Sequence, residues 1–321
     1  MQFATVEHQG AVACGVLDGT DWCPVPGGAS LPDLLRSGAL ANAGARALAS
    51  GMRVPVADVR PLAPLQPPTI RDFVAFEEHV EGVRKAVQGQ AGVPAEWYAA
   101  PAFYFTNPYA VIGTGDDVPV PPGCQVLDFE LEVAAVIGAD GRDLTPEQAR
   151  GHIAGYTIMN DWSARDLQAP EMRVGLGPAK GKDFATTLGP CLVTADELEP
   201  YLDTDGFLAL SLTVAVNGAV IGRDLLSNMS WPFEDLVAHA ARGTWVRAGD
   251  VLGSGTCGNG GCLGELWGLH GPGNPPPLRP GDVVTMTAEG IGTIRNQVVP
   301  GGDVPPVPAA RKRPRHRERP E

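Results

Sequence analysis

The sequence predicts a β-rich α+β fold with a small N-terminal α+β domain, on three observations. Forty-one Gly and 31 Pro among 321 residues, with 44% hydrophobic residues, favour a turn-rich chain over a helical bundle. Leu127-Asp128-Phe129-Glu130-Leu131-Glu132-Val133 alternates strictly and runs on into the apolar residues 134–138, which reads as one strand over 128–137. The run Pro61-Leu62-Ala63-Pro64-Leu65-Gln66-Pro67-Pro68 can continue neither a helix nor a strand. It divides a small domain, 1–65, from a large one, 66–300, and a chain of this length can bury a core for both.

Taken in order, strands are expected at 2–7 and 11–17, with turns at Asp18-Gly19 and Gly27-Gly28. A helix near 31–37 and an Ala-rich helix around 39–50 complete the small domain. A further helix falls within 76–88 and a strand at 102–106. Thr145-Pro146-Glu147 opens a helix over 145–153, with Thr145 as its N-cap. Strands resume at 155–160, 191–194 and 210–216, and Asn217-Gly218 turns the last into 219–223 as a hairpin. Residues 230–242 read as helix. Arg247-Ala248-Gly249-Asp250 and Arg279-Pro280-Gly281-Asp282 each place a turn before a strand. No repeat of solenoid period occurs.

The net charge of −13 disfavours binding to nucleic acid or to an anionic membrane. Residues 311–321 hold six of the 24 Lys and Arg but two of the 37 Asp and Glu, so the remainder carries −17. That tail has nothing apolar to pack, and disorder over 301–321 is the expectation. Six cysteines, at 14, 23, 124, 191, 257 and 262, are too scattered for a disulfide framework and include no Cys-x-x-Cys pair. No apolar run approaches a membrane span, and the N-terminus lacks the pattern of a secretory signal, so a soluble cytoplasmic protein is expected.

Acidic alternation alone describes a solvated edge strand. Carboxylates two positions apart on one strand face stand about 7 Å apart and repel unless a positive group lies between them. A metal site becomes the better reading once Asn160-Asp161-Trp162-Ser163-Ala164-Arg165-Asp166 is set beside that strand. Together the two segments resemble the fumarylacetoacetate hydrolase family. The resemblance covers roughly residues 66–300 and ends at Glu289-Gly290-Ile291-Gly292-Thr293-Ile294-Arg295-Asn296.

The resemblance implies that family's mixed β-sandwich roll and a homodimer. It also implies divalent-metal ligands at Glu130, Glu132 and Asp161, with Asp72, seven residues before His79, as a fourth. An all-oxygen set selects a hard ion, so Mg²⁺ is expected, with Mn²⁺ or Ca²⁺ as alternatives. Asp128 is then a supporting carboxylate and Asp166 an internal partner for Arg165. His79 matches an acid–base histidine acting with a Glu in a Gly-rich segment, which here is 253–266 with Glu265 in the matching place. A carboxylate bonded to one ring nitrogen would raise the basicity of the other. Lys182, in Gly181-Lys182-Asp183-Phe184, matches a lysine that binds substrate oxygen. Gln168 and Thr256 match polar substrate contacts, and such donors suit enolate chemistry.

The expected function is metal-dependent hydrolysis of a carbon–carbon bond in a β-diketo or acylpyruvate acid, with a small oxo-acid as partner and no nucleic acid or membrane. The alternatives are a decarboxylase or isomerase of a 2-oxo or 2-hydroxydienoic diacid on the same site and, from another class, a non-catalytic metal-binding scaffold. Residues 82–100 do not match the family's substrate-reading segment, which leaves the acyl group open.

Overall fold

The computed structural model describes residues 1–88, 91–313 and 315–316. The chain starts with three antiparallel strands, β1 (Gln2–His8), β2 (Ala11–Asp18) and β3 (Asp21–Pro24). Two helices follow, α1 (Leu31–Arg36) and α2 (Leu40–Ala49). Ser30 opens α1 through a capping box, its hydroxyl accepting from Asp33 N while the Asp33 carboxylate accepts from Ser30 N. The large body adds β4 (Ile70–Phe73), α3 (Glu77–Gln88), β5 (Phe103–Thr106), β6 (Leu127–Asp128), β7 (Leu131–Ile137) and α4 (Pro146–Arg150). Then come β8 (Ile153–Asp161), α5 (Arg165–Val174), β9 (Thr186–Thr194), β10 (Ser211–Val216), β11 (Ala219–Leu225) and α6 (Phe233–Ala241). The last elements are β12 (Val251–Gly253), α7 (Leu263–His270), β13 (Val283–Ala288) and β14 (Gly292–Val299).

The strands form a mixed twelve-stranded sheet, ordered β3-β2-β1-β9-β8-β7-β12-β4-β5 along its main path. A five-stranded sheet, β11-β10-β13-β14 with residues 117–119, packs across it. Alternate residues of β7 enter different cores, as a two-residue period requires. Leu131, Val133, Ala135 and Ile137 join the core shared with Leu212, Met286 and Ile294 of the second sheet. Ala134 and Val136 join the core built with Phe3, Val16, Leu31 and Leu35 of the N-terminal segment. Both faces of β7 are therefore covered, and every one of its residues is buried.

Two features depart from the sequence expectation. The segment 1–65 does not own a separate sheet, because Gln2 and Phe3 pair with Val193 and Leu192 of β9. The strand expected over 128–137 is broken at Phe129-Glu130 into β6 and β7. Side chains replace ladder bonds there: the Asp128 carboxylate accepts from Phe129 N at 2.8 Å and Asn160 Oδ1 accepts from Glu130 N at 3.0 Å. Backbone groups satisfied in this way need no neighbouring strand.

Thr145 caps α4 as expected, with Gln148 completing the box, and Asn217-Gly218 turns the β10–β11 hairpin with φ of 52° and 82°. Two helices were not legible. Pro170 lies inside α5, and glycines at 264 and 268 lie inside α7. All six cysteines are buried free thiols. Among the described residues no helix is long and apolar enough to cross a membrane. Residues 301–313 are exposed and carry no helix or strand, and positions 314 and 317–321 of the expected basic tail lie outside the described residues.

Candidate metal centre and active site

The site sits where the central strands of the large sheet end. Asp72 on β4 faces Gly253 of β12 in the parallel register and Tyr104 of β5 in the antiparallel one. Glu132 lies opposite Met159, and Asp161 closes β8 two residues further on. Register thus brings together carboxylates that are far apart in sequence. Asp72, Glu130 and Glu132 each offer an oxygen within 4.8 Å of the others, and all three are buried. Asp161 is tied in through Lys182, whose ammonium bonds Asp161 Oδ2 at 2.5 Å and also pairs with Glu130.

Asp128 and Arg165 brace this group. The Asp128 carboxylate accepts from Leu263 N (2.8 Å) and Gly264 N (2.9 Å), at the positive end of α7, and pairs with Arg165 at 2.7 Å. The same guanidinium pairs with Glu130 at 2.7 Å and donates to Gln168 Oε1 at 3.2 Å. Asp166 is not the partner of Arg165 that the sequence suggested. It is half-buried and accepts from Gln125 N, while Arg165 pairs with the more deeply buried Asp128 and Glu130.

Five buried carboxylates therefore face two cations. Burial, and then repulsion from Asp161, pushes the Asp72 carboxyl well up, and burial with Asp72 does the same to Glu132. Asp161 is also raised by burial, although Lys182 opposes the rise. Glu130 goes the other way: burial works against its charge, but Lys182 and Arg165 hold it below the ordinary range. Both oxygens of Glu132, Asp72 Oδ1 and Asp161 Oδ1 are buried without a hydrogen-bond donor. Orphaned acceptors carrying surplus negative charge fit a hard divalent cation, and no nitrogen or sulfur ligand is needed. Gly253 leaves the room for it. A Cβ there would lie 2.6 Å from Asp72 Oδ1 and 2.8 Å from Glu132 Oε2.

His79, on the first turn of α3, is 8% exposed. Burial drives its imidazole down to about 4, so the ring is neutral at pH 7. The expected His79–Glu265 hydrogen bond is not formed. Nδ1 instead meets Cys262 Sγ at 3.7 Å, and the same sulfur accepts from Glu265 N at the start of α7. Glu265 Oε1 accepts from Gly260 N, Oε2 has no partner, and the side chain packs against α3 where a Cβ on Gly82 would be 2.5 Å from its Cγ. Burial raises Glu265 to about 7. Which tautomer His79 adopts is thus set by a thiol. If Nδ1–H donates to sulfur, Nε2 keeps its lone pair and can take a proton; if the S–H donates, Nε2 carries the proton.

Lys182, Gln168 and Thr256, the remaining expected residues, differ in exposure and in partners. Lys182 is 4% exposed, whereas Lys180 is out in solvent and paired with Asp183. Gln168 spends its oxygen on Arg165, which leaves the amide nitrogen as the donor, and Thr256 is buried in the turn between β12 and α7. Sequence reasoning missed Tyr104, whose hydroxyl donates to Asp161, and Cys262. The strand expected at 102–106 contains Tyr104, but the β4–β5 register is what places it beside Asp72.

The profile described as Fumarylacetoacetate (FAA) hydrolase C-terminal matches residues 69–299, which contain every residue of this centre. The chain belongs to the fumarylacetoacetate hydrolase family. A fumarylacetoacetase of Arabidopsis thaliana is 31% identical over 289 residues, covering 71% of this chain and 68% of its own. An oxaloacetate tautomerase of Bacillus subtilis is 29% identical over 247 residues, covering 76% of this chain and 74% of its own. Among solved structures, the fumarylacetoacetate hydrolase of the psychrophile Exiguobacterium antarcticum superposes with a TM-score of 0.74 at 28% identity, over 94% of this chain and 99% of its own. Members of the family are thus enzymes of more than one reaction type, and the mixed, strand-rich fold is theirs.

Two outcomes follow from this geometry. Gly253→Ala should place a methyl group against Asp72 and Glu132 and weaken Mg²⁺ or Mn²⁺ binding by about 10–100-fold in calorimetry, the usual cost of disturbing the support of a metal ligand. Unchanged affinity would show that these oxygens are not ligands. Glu265, raised from an ordinary value of about 4.3 to about 7, stabilises the fold least where it must ionise. Its contribution is intact below the ordinary value and is lost as pH rises through about 7. With chelator present, the melting temperature of Glu265→Gln should therefore climb relative to that of the wild type between pH 5 and 8, and a constant difference would refute the raised value.

Proposed function

We propose that this protein hydrolyses the carbon–carbon bond of an acylpyruvate-type β-diketo acid. The observation that carries the reading is a buried, neutral His79 standing beside a carboxylate cluster whose free oxygens suit a divalent cation. Asp72, Glu130, Glu132 and Asp161 would hold that cation, which supplies Lewis-acid polarisation of the 2-oxo acid oxygens. His79 Nε2 takes a proton from water, whose oxygen adds to the acyl carbonyl carbon. The bond from that carbon to the methylene then breaks, leaving a carboxylic acid and the enolate of pyruvate. Lys182 and the Gln168 amide stabilise the enolate oxygen until its carbon is protonated. The similarity to fumarylacetoacetases supports the same reading.

A second reading has its own observation. Glu265 does not bond His79, so the base lacks the carboxylate that would stabilise its charged form, and Cys262 can hold it in the tautomer that has no lone pair at Nε2. Tautomerisation or isomerisation of a 2-oxo acid moves a proton on the substrate carbon and needs no activated water, and the similarity to an oxaloacetate tautomerase supports it.

One variant separates the two. In the hydrolase reading, His79→Ala with saturating Mg²⁺ should lose turnover of acylpyruvates by about 10²–10⁴-fold, the contribution of a positioned general base. Exchange of the substrate methylene with deuterated solvent should persist, since Lys182 and the carboxylate cluster are intact. Acylpyruvate cleavage near the wild-type rate in His79→Ala would overturn the water-activating role. A wild type that ketonises enol oxaloacetate and leaves acylpyruvates uncleaved would favour the second reading.

A further inference from the structure

A cavity of about 580 Å³ opens from the Arg165–Gln168 side of the site. That is within the size range of small-molecule sites. Its walls are the three helices that carry His79, Gln168 and Glu265. On α3, Val83 and Ala86 follow His79 by four and seven residues. On α5, Ala169 and Met172 follow Arg165 by the same steps. On α7, Trp267 follows Gly264 by three. Residues at these spacings share a helix face, so α3 and α5 each present chemistry at one end of a stripe, His79 on α3 and Arg165 on α5, and an apolar wall along the rest, while α7 adds the Trp267 ring.

Among the described residues the wall lacks negative charge, and its one indole is held in place. The Trp267 indole N–H is spent on the Pro275 carbonyl at 2.6 Å, which pins the ring. No carboxylate lines the cavity among the described residues. Of its two cations, Arg165 is matched by Asp128 and Glu130, and Arg84 donates to the Gly92 carbonyl.

We propose that this cavity receives the tail of the substrate, and that the tail is uncharged and apolar: an alkyl or aryl group carried by the acyl end of a 2-oxo acid. This assignment rests on the 2-oxo-acid reading of the site. Gln168 and Arg165 mark the junction, with oxygens on the cluster side and hydrocarbon on the other. A second carboxylate at the far end of the substrate would have to displace the Gly92 carbonyl from Arg84, since Val83, Ala86, Met172 and Trp267 offer it no free donor, and burying a charge against such a wall is costly.

The test uses the full-length protein with Mg²⁺ and measures binding of pyruvate, 2-oxobutanoate, 2-oxohexanoate, 2-oxooctanoate and 2-oxoadipate by calorimetry. Affinity should rise about fourfold for each methylene buried. 2-Oxoadipate should bind more weakly than 2-oxohexanoate, its equal in chain length. Ala169→Trp should abolish the chain-length gain and leave pyruvate binding as in the wild type. A flat series, or tighter binding of 2-oxoadipate, with pyruvate still bound, overturns the apolar tail alone. Failure of pyruvate to bind at all overturns the 2-oxo-acid reading, and this assignment with it.

Discussion

The structure depends on keeping surplus negative charge inside a sheet. Asp72, Asp128, Glu130, Glu132 and Asp161 are each no more than 4% exposed, and among the described residues Lys182 and Arg165 are the cations that pair with them. An interior of low polarity makes such repulsion severe, so every lone pair not met by a proton donor costs stability. The fold handles this unequally. Glu130 is fully countered by two cations and stays ionised, while Asp72 and Glu132 face one another with nothing between them. That inequality leaves the cluster with free oxygens that suit a hard cation, which an ordinary buried salt-bridge network does not have.

Asp128 joins this electrostatics to the architecture. By accepting the first N–H groups of α7 and binding Arg165, it sets where the helix bearing Glu265 begins and where the helix bearing Gln168 is anchored. It also takes the N–H of Phe129 and so interrupts the strand at the point where Glu130 must leave the ladder to reach Lys182 and Arg165. One carboxylate therefore shapes the backbone on three elements around the centre.

Local chemistry was legible in the sequence, and long-range pairing was not. The capped start of α4, the Asn217-Gly218 hairpin and the boundaries of β1, β2 and α2 follow from turn residues and periodicity within a few positions. The carboxylates, His79 and Lys182 were found through the family pattern, and they do converge in space. Three things needed coordinates. The break at Phe129-Glu130 depends on side-chain acceptors contributed by Asp128 and Asn160. Helix α7 is hidden because two glycines lower its propensity, and they are tolerated because α3 packs directly against Gly268 while Asp128 and Arg165 close over Gly264. The partner of His79 is Cys262 and not Glu265, since the first turn of α7 aims the sulfur at the imidazole and turns the carboxylate toward Gly260.

The pairing of β1 with β9 has a consequence for handling this chain. The first 65 residues look like a detachable module, yet they complete the sheet at Leu192 and Val193 and roof the face formed by Ala134, Val136, Leu188 and Leu192. A fragment beginning at the proline-rich segment would carry an unzipped strand margin next to a bare hydrocarbon surface, the combination that nucleates intermolecular β-association. Glu132 projects in phase with Ala134 and Val136, so the same excision would wet the floor of the carboxylate cluster. The larger body and its apparent appendage share one sheet and one hydrophobic core.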